Sequence, residues 1–397
     1  MSKIYLNECG IICALGEGHA QVKERLYAGQ PGVAATSRWS KGRELALGAV
    51  TGDLPSLAHV PPYLHSRNNA LALAALAQIR PAVEAAIARF GAGRVGVVVG
   101  TSTSGIGETE RAMEKRSPEG ALPEGFSYRA QEMGSPAEFL ALELGLEGPA
   151  YVHSTACSSA AKAMASAARM LRLGICDAVI TGGVDSLCAF TVAGFSALES
   201  VSAGQCNPMS ANRKGINIGE GAALFLMEAA PSGVHSVELL GWGESSDGHH
   251  ISAPDPAGAG ARLAFEQALR RAGVDAQQVD YINMHGTATP QNDAMESRVI
   301  DELFGREVPV SSTKPLTGHT LGAAAAVEAA LCWLAMQDDN KQGRLPPHLW
   351  DGAADPALPA LNLVPMGAAL GRPLRRVVSS SFAFGGSNAV LLLERTA

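Results

Sequence analysis

The sequence predicts an α/β protein, internally duplicated, around a parallel sheet buried on both faces. Short β-branched runs alternate with Ala/Leu-rich stretches along the whole chain, which is the pattern of βαβ units. Hydrophobic residues make up 47% of the 397 and charged residues only 17%, enough apolar surface for a large core at about 150 residues per domain. The same order of strand, polar loop and Ala-rich helix also recurs once.

Taken in order, the N-terminal run through Gly16 carries Glu8 inside its apolar stretch and reads as a strand, not as a signal peptide. Leu71 to Phe90 reads as a helix and Arg94 to Gly100 as a buried strand. The polar, Gly- and Pro-bearing stretch from Thr103 to Gly134 is expected to be a loop region over a site or a dimer interface. Ser158 to Leu173 reads as a helix ended by Gly174, and Ala178 to Gly182 as the next strand. Val279 to Met284 is strand-like. Leu321 to Met336 is an apolar helix interrupted by Glu328 and short of the ~20 residues a bilayer needs, so no membrane span is expected.

Two motif pairs define the duplication. Ala150-Tyr-Val-His-Ser-Thr-Ala-Cys157 parallels Val308-Pro-Val-Ser-Ser-Thr-Lys314, which puts Cys157 and His319 in register, 162 residues apart. Gly219 to Glu228 parallels Gly386 to Glu394, with Gly219 and Gly386 167 residues apart. The Pro231-Ser-Gly233 turn then divides the chain into an N-terminal half, 1–232, and a C-terminal half, 233–397.

A formal net charge of −7 leaves no basic field for a phosphate backbone, so nucleic acid is not an expected partner. Seven scattered cysteines, an odd number, suit reduced thiols and a cytoplasmic protein better than a disulfide framework. Cys9 and Cys13 lack a second pair with zinc spacing, and His249-His250 reads as a solvated loop, so no metal is expected. There is no Walker loop, dinucleotide fingerprint or Gly-x-Ser-x-Gly elbow.

Reactive side chains gather at strand-to-helix junctions. Cys157 meets the unpaired amides of a helix start, which favour the thiolate and can bind an oxyanion, although position alone also allows a small buried hydrophobe. His285 ends a strand and opens the loop bearing Thr287 and Thr289, whose hydroxyls alternate so that both can face one groove. His319 precedes the apolar helix. Lys314 lies five residues before His319, and Glu328 stands alone in that helix, where its charge needs a partner. Asp293 reads as a cap or turn residue, and Glu296 with Arg298 as a solvated face. The loop Ser379 to Asn388 puts Phe384 beside glycines, as a gate or as packing.

Together, Thr155-Ala-Cys157-Ser-Ser, Asn283-Met-His285-Gly-Thr-Ala-Thr-Pro, Thr313-Lys314-Pro-Leu-Thr-Gly-His319 and Phe382-Ala-Phe384-Gly-Gly-Ser-Asn resemble the β-ketoacyl-acyl-carrier-protein synthases of the elongating Cys-His-His class. The resemblance spans nearly the whole chain. It implies a thiolase-like duplicated fold of five αβαβα layers, usually dimeric, and an acyltransferase that condenses an acyl group on Cys157 with malonyl carrier protein. Cys157 becomes the nucleophile, His285 and His319 the pair serving decarboxylation, and Lys314 their support. Glu328 and Asp293 match the supporting acids, and Thr287 and Thr289 the residues at the pantetheine arm. The amides of Cys157 and Phe384 become the oxyanion donors. No resident cofactor is implied, because phosphopantetheine arrives on the acyl carrier protein. The implied partners are that carrier, with acyl or malonyl groups, and a second subunit, either identical or a related ketosynthase-like chain. Arg67, Arg213 and Lys214 are candidates for carrier docking.

The chain departs from the family pattern at Pro208-Met209-Ser210, Arg213-Lys214-Gly215-Ile216, Ala325 and Ala383. These departures favour a specialised polyene or polyketide chain over housekeeping fatty-acid elongation. A non-catalytic chain-length-factor-like subunit and a thiolase are the competing readings. The first would lack the nucleophile, and the second needs another cysteine near the C-terminus, where Cys332 lies in a helix-like stretch.

Overall fold

The computed structural model describes residues 2–233 and 236–396. In the first half, β1 (Tyr5–Cys13), β2 (Val95–Gly100), β3 (Ala150–His153), β4 (Ala178–Asp185) and β5 (Gly221–Glu228) are joined in the order β3-β2-β4-β5-β1. Three long helices accompany them: α1 (Arg67–Phe90), α2 (Ser135–Leu144) and α3 (Ser159–Arg172). The second half repeats the plan with β6 (Val237–Ser246), β7 (Tyr281–Asn283), β8 (Pro309–Ser311), β9 (Arg376–Phe382) and β10 (Ser387–Arg395). Their order is β8-β7-β9-β10-β6, the same arrangement strand for strand. Its main helices are α4 (Ala259–Ala272), α5 (Pro290–Phe304) and α6 (Ala324–Ala335).

The sheets are mixed rather than parallel throughout. β2, β3 and β4 run parallel, as do β7, β8 and β9, but β5 and β10 are antiparallel to both of their neighbours. Their continuous apolar runs are indistinguishable in sequence from parallel strands because both faces are covered. The halves meet along β1 and β6, through the pairs Tyr5–Glu238 and Leu6–Val237.

The layering follows from which faces are apolar. α3 and α6 lie between the sheets and touch strands of both halves as well as each other. Every residue of α6 is buried, and α3 buries eight small or thin side chains from Ser159 to Ala168. Alanine lets two helices and two sheets approach closely enough to exclude water. α1 and α2 cover the outer face of the first sheet, and α4 and α5 that of the second. This is the expected five-layered thiolase-like arrangement.

Among the described helices α1 alone has the length and hydropathy to cross a membrane. It starts four residues earlier than expected, capped by Ser66, and packs Leu71, Leu76, Ile79 and Val83 into the core against the first sheet. The stretch from Thr103 to Gly134 is not wholly loop. It contains the helix Ile106–Glu114 and a helical turn at Tyr128–Gln131, whose short amphipathic patterns Gly and Pro obscure.

Outer-helix packing requires glycine in both halves. A Cβ at Gly10 of β1 would lie 2.0 Å from the Ala75 carbonyl oxygen of α1, and one at Gly243 of β6 would lie 1.7 Å from the Ala264 carbonyl oxygen of α4. Gly243→Val therefore forces α4 away from the sheet and is expected to destabilise the chain by about 1–3 kcal/mol. Urea denaturation checks this, and an unchanged midpoint would contradict the close approach.

Candidate active site

Cys157 sits in the tight connection between β3 and α3, with Ala156 in the left-handed region at φ +49°. Thr155 N–H donates to Ser159 Oγ (2.8 Å), and Ser158 Oγ donates to the Thr155 carbonyl (2.8 Å), which locks the turn. The sulfur lies against the second half. His319 occupies the equivalent junction between β8 and α6, and its Nε2 lies 3.1 Å from Cys157 Sγ. His285 follows β7, its ring perpendicular to that of His319 at 5.3 Å between centroids. All three are buried, at 5%, 1% and 2% exposure for Cys157, His285 and His319.

Two donors fix the imidazole tautomers. Leu321 N–H donates to Nδ1 of His319 (3.2 Å), and Lys314 Nζ donates to Nδ1 of His285 (3.3 Å). With both Nδ1 atoms accepting, the hydrogen-bond network assigns the ring protons to the two Nε2 atoms. The sulfur and two ring nitrogens lie within 4.8 Å of one another, a spacing that could hold a metal ion. A metal would need free Nε2 lone pairs, normally supported by Nδ1–H donation to an acceptor. Here both Nδ1 atoms face donors, so the site presents N–H groups suited to an oxygen anion.

Lys314 is itself 1% exposed and pairs with Glu328 Oε1 at 2.5 Å. Glu328, alone in α6, thereby meets the partner its position demanded, although its Oε2 has no hydrogen-bond partner among the described residues. Burial pushes its carboxyl up to about 7, against the pull of Lys314. Burial also drives both imidazoles well below 6.5, and the Lys314 charge adds to this, so both stay neutral near pH 7. Cys157 differs from expectation. Lys314 and the amides of Phe384 and Cys157 itself favour the thiolate, but burial outweighs them and raises the thiol to about 11.

Asp293 is fully buried rather than a simple cap. Its carboxylate accepts from Met209 N–H (2.8 Å) and Ala288 N–H (3.2 Å), holding the loop that carries Thr287 and Thr289, and burial raises it to about 7. The two threonine hydroxyls lie 2.8 Å apart and line the cavity. Glu296 corrects the expectation of a solvated face. Completely buried, it accepts from the N–H of His285 (2.7 Å), the N–H of Gly286 (2.7 Å) and Ser380 Oγ (2.9 Å), so it anchors the His285 loop. Its spacing gave a usable signal, because Asn292, Asp293 and Glu296 fall on one face of α5.

These groups open onto a cavity of about 570 Å³ lined by Cys157, His285, His319, Thr287, Thr289 and Phe384, among others. Phe384 is half-buried and packs on Phe195 at 5.7 Å between ring centroids. Of the expected docking cations, Arg67 is instead committed to the buried Glu220 (2.5 and 2.8 Å). Arg213 lines the cavity but pairs with Asp355 (2.5 Å), and Lys214 stands exposed at the rim.

The family follows from matches over most of the chain. Residues 9–232 match the N-terminal domain of the beta-ketoacyl synthases, and residues 236–349 match the C-terminal domain. The chain belongs to the β-ketoacyl synthase family. It is 34% identical over 311 residues to nodulation protein E of Rhizobium meliloti, covering 76% of each chain. It is 32% identical over 323 residues to 3-oxoacyl-(acyl-carrier-protein) synthase 2 of Vibrio cholerae, covering 77% of this chain and 76% of that one. Among solved structures, it superimposes with a TM-score of 0.91 on one chain of the complex between the ketosynthase ApeO and its chain length factor ApeC from Xenorhabdus doucetiae. The identity there is 43%, covering 100% of this chain and 98% of that one.

Lys314→Met is expected to leave Glu328 buried without its partner and to cost about 1 kcal/mol at pH 8. The native carboxyl stays neutral below about pH 7, so the cost is absent at pH 5 and grows as pH rises above 7. Thermal denaturation at pH 5 and pH 8 checks this, and equal losses at both would contradict it.

Proposed function

We propose that the chain condenses an acyl group held on Cys157 with a malonyl group carried by acyl carrier protein, extending the chain by two carbons. The observation that carries this reading is the convergence of one sulfur and two neutral Nε2–H donors on one buried cavity. Decarboxylation of a malonyl thioester leaves an enolate, which requires donors at the thioester oxygen and no strong base at carbon.

Cys157 first attacks the acyl thioester. The Cys157–acyl bond forms as the carrier's C–S bond breaks, and the thiol proton ends on the departing pantetheine sulfur. The amides of Cys157 and Phe384, both near the sulfur, are proposed to donate to the tetrahedral oxyanion. Malonyl thioester then seats its carbonyl oxygen between His285 and His319. Carbon dioxide leaves with the C–C bond broken, and the electron pair passes to the enolate. The enolate carbon attacks the acyl carbonyl and expels the Cys157 sulfur, which takes one proton from solvent. His319 Nε2–H stabilises that sulfur as it leaves. Lys314 holds His285 through Nδ1, and its charge opposes protonation of either ring.

Thr287, Thr289 and the exposed Lys214 line the cavity, which suits a pantetheine arm and an acidic carrier. The reading extends to a reducing, cytoplasmic setting, since all seven cysteines are free. β3 ends the sheet with Ala150 and Tyr151 exposed, an edge suited to a second subunit. Similarity to a ketosynthase–chain length factor complex favours a specialised product and a related partner over an identical one. Within such a pair this chain is the active member, because Cys157, His285, Lys314 and His319 are all retained.

Intact-mass measurement after incubation with acyl carrier proteins tests the assignment. An acyl adduct is expected on the wild type and none on Cys157→Ala. An adduct surviving in the variant, or none on the wild type from any donor, would overturn it.

A further inference from the structure

Asp185 ends β4 and is fully buried, yet none of the chemistry above uses it. Its Oδ1 accepts from Thr101 Oγ1 (2.7 Å), Ser102 N–H (2.7 Å), Thr103 N–H (2.9 Å) and Thr103 Oγ1 (2.8 Å). Its Oδ2 reaches into the other half and accepts from Gly322 N–H at 2.5 Å. Gly322 lies three residues after His319. The residue between them that faces the ring, Leu321, is left-handed at φ +49° and donates its N–H to His319 Nδ1. A leucine resists that backbone region unless its surroundings hold it there. The approach is also tight. A methyl group on Gly322 would lie 2.6 Å from Ser102 Oγ and 2.8 Å from Asp185 Oδ2.

We infer that Asp185 is a positioning residue for His319. Anchored by four donors of its own half, the carboxylate clamps the Gly322 amide, fixes Leu321 in its left-handed turn, and so aims the His319 Nε2–H at the cavity. The carboxylate thus joins the first half to the turn behind one imidazole, beside the direct backbone bonds of His319 to Asn217 and Gly219, and touches neither substrate nor sulfur. The rate readout of its test rests on the condensing reading above, whereas the spectroscopic readout does not.

Asp185→Asn is the informative change. The amide oxygen is expected to stay with the donors at Thr101 to Thr103, which turns the NH₂ against the Gly322 N–H and releases the turn. With the full-length protein labelled at histidine nitrogen, the wild type should show His319 as the Nε2–H tautomer. Asp185→Asn should give a mixed or exchange-broadened His319 signal while that of His285 is unchanged. In the same protein kcat for malonyl decarboxylation should fall about tenfold to a hundredfold with KM nearly constant. If Asp185→Asn does not fold, Thr103→Val, which withdraws one hydroxyl from the same carboxylate, takes its place and should shift the same signal with a smaller loss of kcat. A folded variant with the wild-type His319 signal and unaltered kcat overturns the inference. A wild type that shows the tautomer but condenses nothing overturns the reaction assignment and leaves the positioning role standing.

Discussion

A single buried ammonium group, that of Lys314, sets the terms for the rest of the site. Lys314 cannot shed its charge cost into water at 1% exposure, so it needs both a counter-ion and hydrogen-bond acceptors. Glu328 supplies the first from α6, and Nδ1 of His285 supplies the second. The consequences spread through the cavity. Burial keeps both imidazoles neutral and the positive charge nearby adds to it, and neutral rings whose Nδ1 atoms accept must present Nε2–H. The same charge favours a sulfur anion on Cys157, partly offsetting the burial that raises its thiol.

Duplication explains how such a constellation is assembled. Two copies of one strand order place two strand-to-helix junctions opposite each other across the α3–α6 layer. One junction carries the sulfur and the other the imidazole, and neither half holds a complete site. Fully buried α6 is both the floor of the second half and the source of Glu328, so the charge balance of the site is part of the core itself. Asp185 links the halves as well, its first-half carboxylate accepting from the Gly322 amide of the second.

Much of this was legible in the sequence because the signals are local. Cys157, His285 and His319 each stand where an apolar run ends and a helix begins, and the repeated motifs gave the duplication directly. The lone charges at Lys314 and Glu328 announced a buried pair. What escaped was non-local. β5 and β10 read as parallel strands because burial on both faces erases any sign of direction. Glu296 and Arg67 look like surface charges until the fold brings Ser380 to one and Glu220 to the other. The Cys157 thiol was expected to be lowered by its helix start, but the depth of burial that raises it depends on the complete fold.

The central claim is that two neutral imidazole donors, His285 held by Lys314 and His319 by the Leu321 amide, drive the loss of carbon dioxide. Its most direct test follows release of labelled carbon dioxide from malonyl carrier protein by enzyme already acylated on Cys157, comparing the wild type with His285→Ala and His319→Ala. The account predicts rapid release by the wild type, flat between pH 6 and 8 because both rings remain neutral, and a loss of about a hundredfold or more in either variant. Undiminished release from both variants, or a wild-type rate that rises as a ring takes up a proton below pH 7, would contradict it.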